Sequence, residues 1–284
     1  MSVSVFDKIS QAYYDLTAAE KKTADYIMAH QQRSQFLSIA ELAERSGVAE
    51  ATVSRFCRRL GYAGFNAFKL AIANASSAQE RDSSMLSGPV EPTDSFREMC
   101  QKLFQAEHTA MLQTLDSIRA EQISAAADAL SAASKVLCMG QGGSMLMAAE
   151  ACHLFATVSG KFFTVQDSHS QLLAAVNMAP DDLLFFFSYS GATRDMMETM
   201  QAAKNSGAKI LLVTRFPQSP GARLSDYILP CGSNESLLQL GSVPAKIAQL
   251  FLLDLLFTEY CRRDLAECTR RRERIAAEME KKHL

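Results

Sequence analysis

Two short segments rich in glycine and hydroxyl side chains are the strongest candidates for chemistry in this sequence. Residues 140–144 read Gly-Gln-Gly-Gly-Ser, and residues 188–193 read Ser-Tyr-Ser-Gly-Ala-Thr. Each follows an apolar run of strand length and precedes a segment with helical periodicity. Free N–H groups at the start of a helix favour an anion, and hydroxyl groups add donors without adding charge. The two segments therefore predict a binding site for a phosphate monoester.

Two other interpretations apply to segments of this kind. A dinucleotide-binding fingerprint would require glycine at position 145, where this chain has Met145, and it gives no role to the hydroxyl-rich second segment. Both segments could instead be tight turns that bind nothing, and this alternative stays open at the level of sequence.

A second candidate site lies in residues 38–60, where two short helical patterns flank Ser46-Gly47-Val48. Glycine in such a turn permits a left-handed backbone, which is typical of a helix-turn-helix motif. The spacing directs Val53, Phe56, Cys57 and Leu60 inward. The side chains predicted to face outward and contact DNA are Thr52, Ser54, Arg55, Arg58 and Arg59. Guanidinium and hydroxyl groups suit base edges and phosphates, although a solvated basic helix face would have the same pattern.

The elements that position these residues predict two folds in one chain. Residues 1–75 show helical periodicity, whereas strand-like runs alternate with helices from residue 135 onward. The fold class is therefore an all-α N-terminal helix-turn-helix domain followed by an α/β domain with a mostly parallel sheet sandwiched by helices. The predicted domains are residues 1–76 and 95–284, joined by a polar, Gly- and Pro-containing linker at 77–94.

Composition limits the classes of function. With 284 residues, two domains are expected, and the net charge of −2 requires any DNA binding to be local. The chain has no apolar run of membrane-spanning length and no export signal at its start, so we expect a cytoplasmic protein with no membrane partner. Seven scattered cysteines are expected to be reduced packing residues, and neither a cofactor nor a metal is expected.

Four motifs in the N-terminal half point to a known family. They are Leu-Thr-Ala-Ala-Glu-Lys-Lys-Thr-Ala-Asp-Tyr-Ile at 16–27, Ser-Ile-Ala-Glu-Leu-Ala at 38–43, Ala-Thr-Val-Ser-Arg-Phe at 51–56 and Leu-Gly-Tyr-Ala-Gly-Phe at 60–65. Together they resemble the N-terminal domain of RpiR-type transcription regulators over residues 16–72. Thr17 and Glu20 are expected to form a capping box. Ala49 departs from the serine common in the family, and loss of that helix cap typically costs ~1 kcal/mol.

Residues 120–258 resemble the SIS (sugar isomerase) domain through the two glycine- and hydroxyl-rich segments. The resemblance implies that a sugar phosphate is bound by the first loop and by the Ser-x-Ser-Gly-x-Thr loop, here Gly142, Ser144, Ser188, Ser190 and Thr193. It also implies a role for Glu235, which in the family often contacts the sugar or acts as a base in enzymes. Asp167-Ser168-His169 matches a stretch common in the regulators, so His169 is either a sugar contact or a local helix cap.

Combined, the two resemblances imply a transcription regulator without catalytic residues, whose binding to an operator is modulated by a phosphorylated sugar. The expected partners are a palindromic double-stranded DNA operator, the phosphosugar effector and further copies of the chain, as a homodimer or a dimer of dimers. The apolar segment 245–257 is long enough for that interface. A sugar-phosphate isomerase is the alternative, with Glu235, Lys246 and His169 as possible proton-transfer groups. A structural DNA-binding protein with an unused pocket is a third, weaker interpretation.

Overall fold

The chain forms two compact units. A computed structural model describes residues 4–81, 88–232 and 243–281. The first unit holds the described residues up to Ala110, together with Val243 and Pro244, and the second holds Met111–Gly232 and the residues from Ala245 onward. Glu235 lies outside the described residues.

The first unit is all helical in its described residues. Its elements are α1 (Val5–Ala12), a 3-10 turn (Tyr13–Asp15), α2 (Ala18–Ala29), α3 (Gln31–Ser34), α4 (Ile39–Ser46), α5 (Glu50–Arg59) and α6 (Phe65–Arg81). These helices bury their apolar faces against one another, and Ile9, Ile27, Leu42, Phe56 and Phe68 are fully buried. Because each short helix has only one apolar stripe, stability depends on this shared core. The predicted all-α fold of this half is confirmed.

Local signals define the helix ends in this unit. The predicted capping box of Thr17 and Glu20 starts α2, and a second one, formed by Ser38 and Glu41, starts α4. Gly47 ends α4 in the left-handed conformation (φ 64°), as the turn between the two helices requires. Helix α6 continues to Arg81, so its last five residues lie within the predicted linker that starts at 77. The domain division itself stays a prediction.

The second unit is a parallel sheet between two helical layers. Its strands are β1 (Val136–Gly140), β2 (Phe162–Thr164), β3 (Leu183–Phe187), β4 (Lys209–Thr214) and β5 (Tyr227–Pro230), in the order β2-β1-β3-β4-β5 with every pair parallel. Its helices are α8 (Ala120–Ala132), α9 (Gly143–Ala156), α10 (Ser168–Val176), α11 (Arg194–Asn205), α12 (Pro220–Leu224), α13 (Val243–Arg263) and α14 (Leu265–Glu280). Helix α7 (Phe96–Ser117) contributes to both units.

Alternate side chains of each strand feed two separate cores. Phe185 and Phe187 of β3 pack with residues of α8, α9 and α13 on one face, whereas Leu184 and Phe186 pack with residues of α10, α11 and α12 on the other. A strand that is buried on both faces reads as a continuous apolar run, which is the pattern of 183–187. The predicted sheet sandwiched by helices is confirmed. The short helix α12 is an element that the sequence did not predict.

Three leucines of α13 are buried within this unit. Leu252, Leu253 and Leu256 are buried in the core on one face of the sheet. A helix that covers a parallel sheet must bury its apolar stripe against the strands. These three leucines are therefore not available to a partner, whereas Leu250 of the same helix is exposed, and an interface between copies through the 245–257 segment stays a prediction. In the described part of the chain, no helix is both long enough and apolar enough to span a membrane.

The environments of the cysteines lead to a prediction about thiol reactivity. Cys100 is exposed, Cys152 is half-buried, and the other five are buried. Burial raises the pKa of the Cys57 thiol to about 12, which removes the reactive thiolate at neutral pH. We expect a thiol reagent such as iodoacetamide to modify native protein first at Cys100 and to modify Cys57 only after denaturation, as measured by mass spectrometry of peptides. Rapid labelling of Cys57 in the folded protein would contradict its buried placement.

Candidate functional site

Helix α5 carries three exposed arginines. Val53, Phe56 and Cys57 face the core, and Arg55 and Arg58 are exposed to solvent. Ala49 precedes the helix without making any side-chain cap, as its identity predicts. The helix therefore has the amphipathic orientation expected of a DNA-reading helix, with a core-facing stripe opposite exposed cations.

Thr52 does not lie on the outward face, contrary to the prediction. It is only 7% exposed. Thr52 is four residues before Phe56, so both lie on the same side of the helix and both are buried. Its hydroxyl accepts a 3.4 Å hydrogen bond from Arg55 Nη2. Thr52 thus orients Arg55, while Ser54 is half-buried beside it.

Arg59 is bonded to residues of its own unit. Its Nη1 donates to the backbone oxygen of Asp15 at 2.7 Å, and its Nε lies 3.3 Å from Glu20 Oε1. The other carboxylate oxygen of Glu20 accepts from the backbone and hydroxyl of Thr17, each at 2.9 Å. Glu20 therefore caps α2 and neutralises Arg59 at the same time. This geometry favours Arg59 as an anchor of α5 and leaves its predicted contact with DNA untested.

The structure brings the two glycine- and hydroxyl-rich loops together. Strands β1 and β3 are neighbours, with Gly140 opposite Phe187, so their loops leave the same edge of the sheet side by side. The hydroxyl of Thr193 donates a 3.1 Å hydrogen bond to Gln141 Oε1, which joins the second loop to the first. Ligands of parallel α/β sheets bind at this carboxyl edge.

The first loop is shaped by its glycines. Gly142 has a φ of 54° and directly precedes α9, and Ser144 lies half-buried in the first turn of that helix. A Cβ on Gly140 would lie 2.6 Å from the backbone oxygen of Ser144, so no larger residue fits there. The side chain of Gln171, fully buried on α10, donates to the oxygens of Gly140 and Val165, both at 2.8 Å. The amide of Gln171 on α10 therefore stabilises the loop, and this residue was not identified from the sequence.

The second loop is stabilised by its own hydroxyl groups. Ser188 is buried, and its Oγ accepts from the N–H of Gly191 at 3.1 Å. Ser190 Oγ accepts from the N–H of Ala192 at 3.4 Å. Thr193 is the N-cap residue of α11 but makes no side-chain cap, because its hydroxyl is directed to the first loop.

A third loop, which follows β4, supports the second and was missed in the sequence. The Thr214 hydroxyl and the Arg215 N–H both donate to the backbone oxygen of Tyr189 at 3.1 Å. The N–H of Gly221 donates to the oxygen of Gly191 at 2.9 Å. The sequence feature that could have indicated this loop is a third buried strand that ends in a hydroxyl residue, Thr214, and is followed by another, Ser219.

The other predicted ligand contacts have less structural support. His169 is exposed in the first turn of α10. The cap of that helix is Asp167, whose carboxylate accepts from the Ser170 N–H at 2.9 Å, and this bond holds the pKa of Asp167 below its usual value. His169 is thus not needed as a cap, and its contact with a sugar stays a prediction. Within the described ranges, no group of three or more His, Cys, Asp or Glu side chains is arranged to hold a metal ion.

The arrangement is suited to binding a phosphate group without ion pairs. Neither the 140–144 loop nor the 188–193 loop contains a lysine or an arginine. Two helices, α9 and α11, begin at these loops, so their free N–H groups and dipoles favour negative charge at the same edge of the sheet. Serine and threonine hydroxyls supply the remaining donors.

Comparison with known proteins supports the family resemblance of both halves of the chain. Residues 3–79 match the model of the RpiR-family helix-turn-helix domain, and residues 129–259 match that of the SIS domain. An uncharacterised HTH-type transcriptional regulator of Caldanaerobacter subterraneus is 35% identical over 85% of this chain and 84% of its own length. Another, from Haemophilus influenzae, is 31% identical over 90% of this chain and 89% of its own length.

Among solved structures, NanR of Vibrio vulnificus complexed with ManNAc-6P covers 99% of both chains with a TM-score of 0.64 at 22% identity. The sugar isomerase domain of an RpiR transcription factor from Sphaerobacter thermophilus covers 61% of this chain and 96% of its own, with a TM-score of 0.56 at 21% identity. At these identities the likeness concerns the fold alone.

Together, the fold and these relatives define a transcriptional regulator that combines a helix-turn-helix domain with a SIS domain. More particularly, the chain belongs to the RpiR family.

Proposed function

We propose that the chain binds an operator through α5 and that a phosphorylated sugar, bound where the loops after β1 and β3 meet, changes its affinity for that operator. The observation that carries this proposal is the convergence of a glycine-rich loop and a hydroxyl-rich loop at the starts of two helices. The DNA-binding domain in the same chain supplies the output. A ligand can act in this way only if it binds one of two conformations more tightly than the other.

The ligand we propose carries a phosphate monoester bound by Ser144, Ser188, Ser190 and Thr193. Two helix N-termini and several hydroxyl donors suit a dianion better than a neutral sugar. NanR was solved with ManNAc-6P, so a phosphorylated amino sugar is a sensible first probe for this chain. His169 and Glu235 remain our candidates for contacts with the sugar.

A path for the coupling leads through α7. The N–H of Gly232, just after β5, donates a 2.8 Å hydrogen bond to the buried hydroxyl of Thr114 on α7. That bond attaches α7 to the same edge of the sheet as the ligand loops. Helix α7 contributes residues to both units. We propose that ligand binding acts on the DNA-binding domain by this route.

We further propose that the regulator works as a homodimer or a dimer of dimers on a palindromic operator. A dimer places two reading helices in successive major grooves, about 34–36 Å apart. The enzymatic alternative requires a base and a proton relay, and its test is turnover of hexose and pentose phosphates. Interconversion of any of these at an ordinary enzymatic rate would overturn the role as a sensor.

The ligand site can be tested with Ser188→Ala combined with Ser190→Ala. A hydrogen bond to a charged group contributes about 1.5–3 kcal/mol, so losing two is expected to weaken phosphosugar binding ~100-fold or more. We expect ManNAc-6P or another hexose phosphate to raise the Tm of the unmodified protein but not that of the double variant.

The matched control for this experiment is Ser131→Ala, an exposed serine on α8. This variant should keep the full ligand-induced shift. The same ligand should alter operator retention in a gel-shift assay for the control and not for the double variant. Persistent stabilisation of the double variant would place the ligand elsewhere.

A further inference from the structure

We infer that Gln141 is a phosphate-binding residue that changes its hydrogen-bond partner when the ligand arrives. The inference rests on the proposed function, since it concerns the same site. It assigns to Gln141 two successive roles: joining the two loops in the free protein, and donating to the ligand in the complex.

The position of Gln141 is set by backbone on both sides. Gly140 lies against the first turn of α9 with no room for a side chain, and Gly142 has a left-handed φ of 54°. The buried amide of Gln171 holds the Gly140 oxygen at 2.8 Å. A side chain between two such fixed residues is preorganised, so little conformational entropy is lost when it binds a ligand.

One end of the Gln141 amide is satisfied and the other is not. Its Oε1 accepts the hydrogen of the Thr193 hydroxyl at 3.1 Å. Its Nε2 is shielded from solvent and has no hydrogen-bond partner among residues 4–81, 88–232 and 243–281. A buried donor left without an acceptor costs free energy, and an incoming acceptor would recover it. The unpaired donor belongs to the residue of the first loop that is hydrogen-bonded to the second.

The chemistry of phosphate explains the change of partner. A phosphate dianion has only acceptor oxygens, and the Thr193 hydroxyl has a single hydrogen to donate. To bind phosphate, that hydroxyl must leave Gln141 Oε1. The Nε2 group of Gln141 then donates to the phosphate as well, and Oε1 becomes available to a sugar hydroxyl or to water. One neutral hydrogen bond is thus exchanged for two that are assisted by charge, which are shorter and stronger.

This exchange also gives the loops two states. In the free protein, Thr193 and Gln141 connect the starts of α11 and α9 directly. In the complex, the phosphate replaces that connection and separates the two side chains. A regulator needs such a ligand-dependent difference between two arrangements.

The test compares Gln141→Glu with Gln141→Leu. Glutamate keeps the size and the acceptor for Thr193, but it lacks the donor and places a negative charge beside the phosphate. Leucine removes acceptor and donor without adding charge. The probes are ManNAc-6P and glucose 6-phosphate, and affinity is compared for whichever of them binds the unmodified protein more tightly. We expect Gln141→Leu to weaken that binding roughly 10-fold, as for one lost hydrogen bond to a charged group. Gln141→Glu is expected to weaken it by at least ~100-fold, since repulsion adds to the lost bond.

Controls separate this role from a merely structural one. Gln201→Glu makes the same change on α11, at an exposed residue that pairs with Asn205, and should leave affinity within twofold. Thr193→Ser keeps the hydroxyl and should restore most of the affinity that Thr193→Val removes. In the free protein, Gln141→Leu and Thr193→Val remove the same hydrogen bond. The loss of stability in the double variant should therefore be smaller than the sum of the losses in the two single variants and close to the loss in either one alone.

The outcomes are distinct. Binding by both Gln141 variants within twofold of the unmodified protein, with Ser188→Ala/Ser190→Ala inactive, would overturn the role of Gln141 and leave the proposed function standing. A lower Tm for Gln141→Leu with unchanged affinity would show a structural role only, and would also overturn it. No stabilisation of the unmodified protein by either sugar phosphate would count against the proposed function itself.

Discussion

Replacing Arg55 and Arg58 together with alanine is expected to abolish specific retention of operator DNA while leaving the fold intact. Both guanidinium groups are exposed on α5, opposite the buried face formed by Val53, Phe56 and Cys57. Loss of one good contact to a base typically costs ~1–3 kcal/mol, so two contacts correspond to a loss of affinity on the order of 100-fold or more. Measurement by fluorescence anisotropy with the operator would show this loss.

The control for this variant is Arg33→Ala. Arg33 is an exposed arginine of α3 in the same unit, and its replacement removes the same charge away from α5. We expect it to change operator affinity only slightly. The salt dependence adds a second readout, since each lost phosphate contact lowers the slope of log affinity against log salt by about 0.9. Operator affinity that survives the Arg55/Arg58 replacement would show that α5 is not the reading helix.

Arg59→Ala should behave differently from Arg55/Arg58 because Arg59 is bound to Asp15 and Glu20. Glu20 is only 5% exposed, so removing its cation leaves a buried charge with one fewer partner. The expected result is a lower Tm of the DNA-binding domain and weaker operator binding with little change in salt slope. An unchanged Tm with a reduced slope would instead make Arg59 a direct phosphate contact.

Gly191→Ala is expected to be the most damaging single replacement at the ligand site. Gly191 has a φ of 62°, where residues with a Cβ are strained. A Cβ there would also overlap the Ser219 hydroxyl and lie 2.9 Å from Thr214 Oγ1, both in the loop that supports the 188–193 segment. Strain and overpacking together correspond to a loss of about 3 kcal/mol in the free energy of unfolding. Phosphosugar binding should be lost with it.

Two other glycines provide graded controls for Gly191→Ala. Gly160 has open space around its Cβ position and no positive φ, so Gly160→Ala should be nearly neutral. Gly142 has open space around its Cβ position but a φ of 54° and a ψ of −126°, which residues with a Cβ rarely adopt, so Gly142→Ala should cost only the backbone strain, about 1–3 kcal/mol. Chemical denaturation with matched m-values would rank the three. Equal stability of the Gly191 and Gly160 variants would contradict the tight packing of the third loop against the second.

Much of the architecture could be predicted from local patterns. The apolar runs at 183–187 and 210–213 lie in the observed β3 and β4, because a strand buried on both faces has to be apolar where it is buried. Gly47 and the Thr17–Glu20 capping box were equally visible, since a turn and a cap depend only on residues within a few positions of each other. These features follow from interactions that are short along the chain.

By itself, then, the sequence predicted two domains, a DNA-reading helix in the first, and two loops suited to an anion at strand ends in the second. The tertiary structure alone decided which side chains actually meet. Arg59 binds Asp15 from 44 positions away, and Thr193 binds Gln141 from 52 positions away. Thr52 is buried although a simple stripe placed it outside. Such contacts depend on how helices and strands pack in three dimensions, and no periodicity along the chain encodes them.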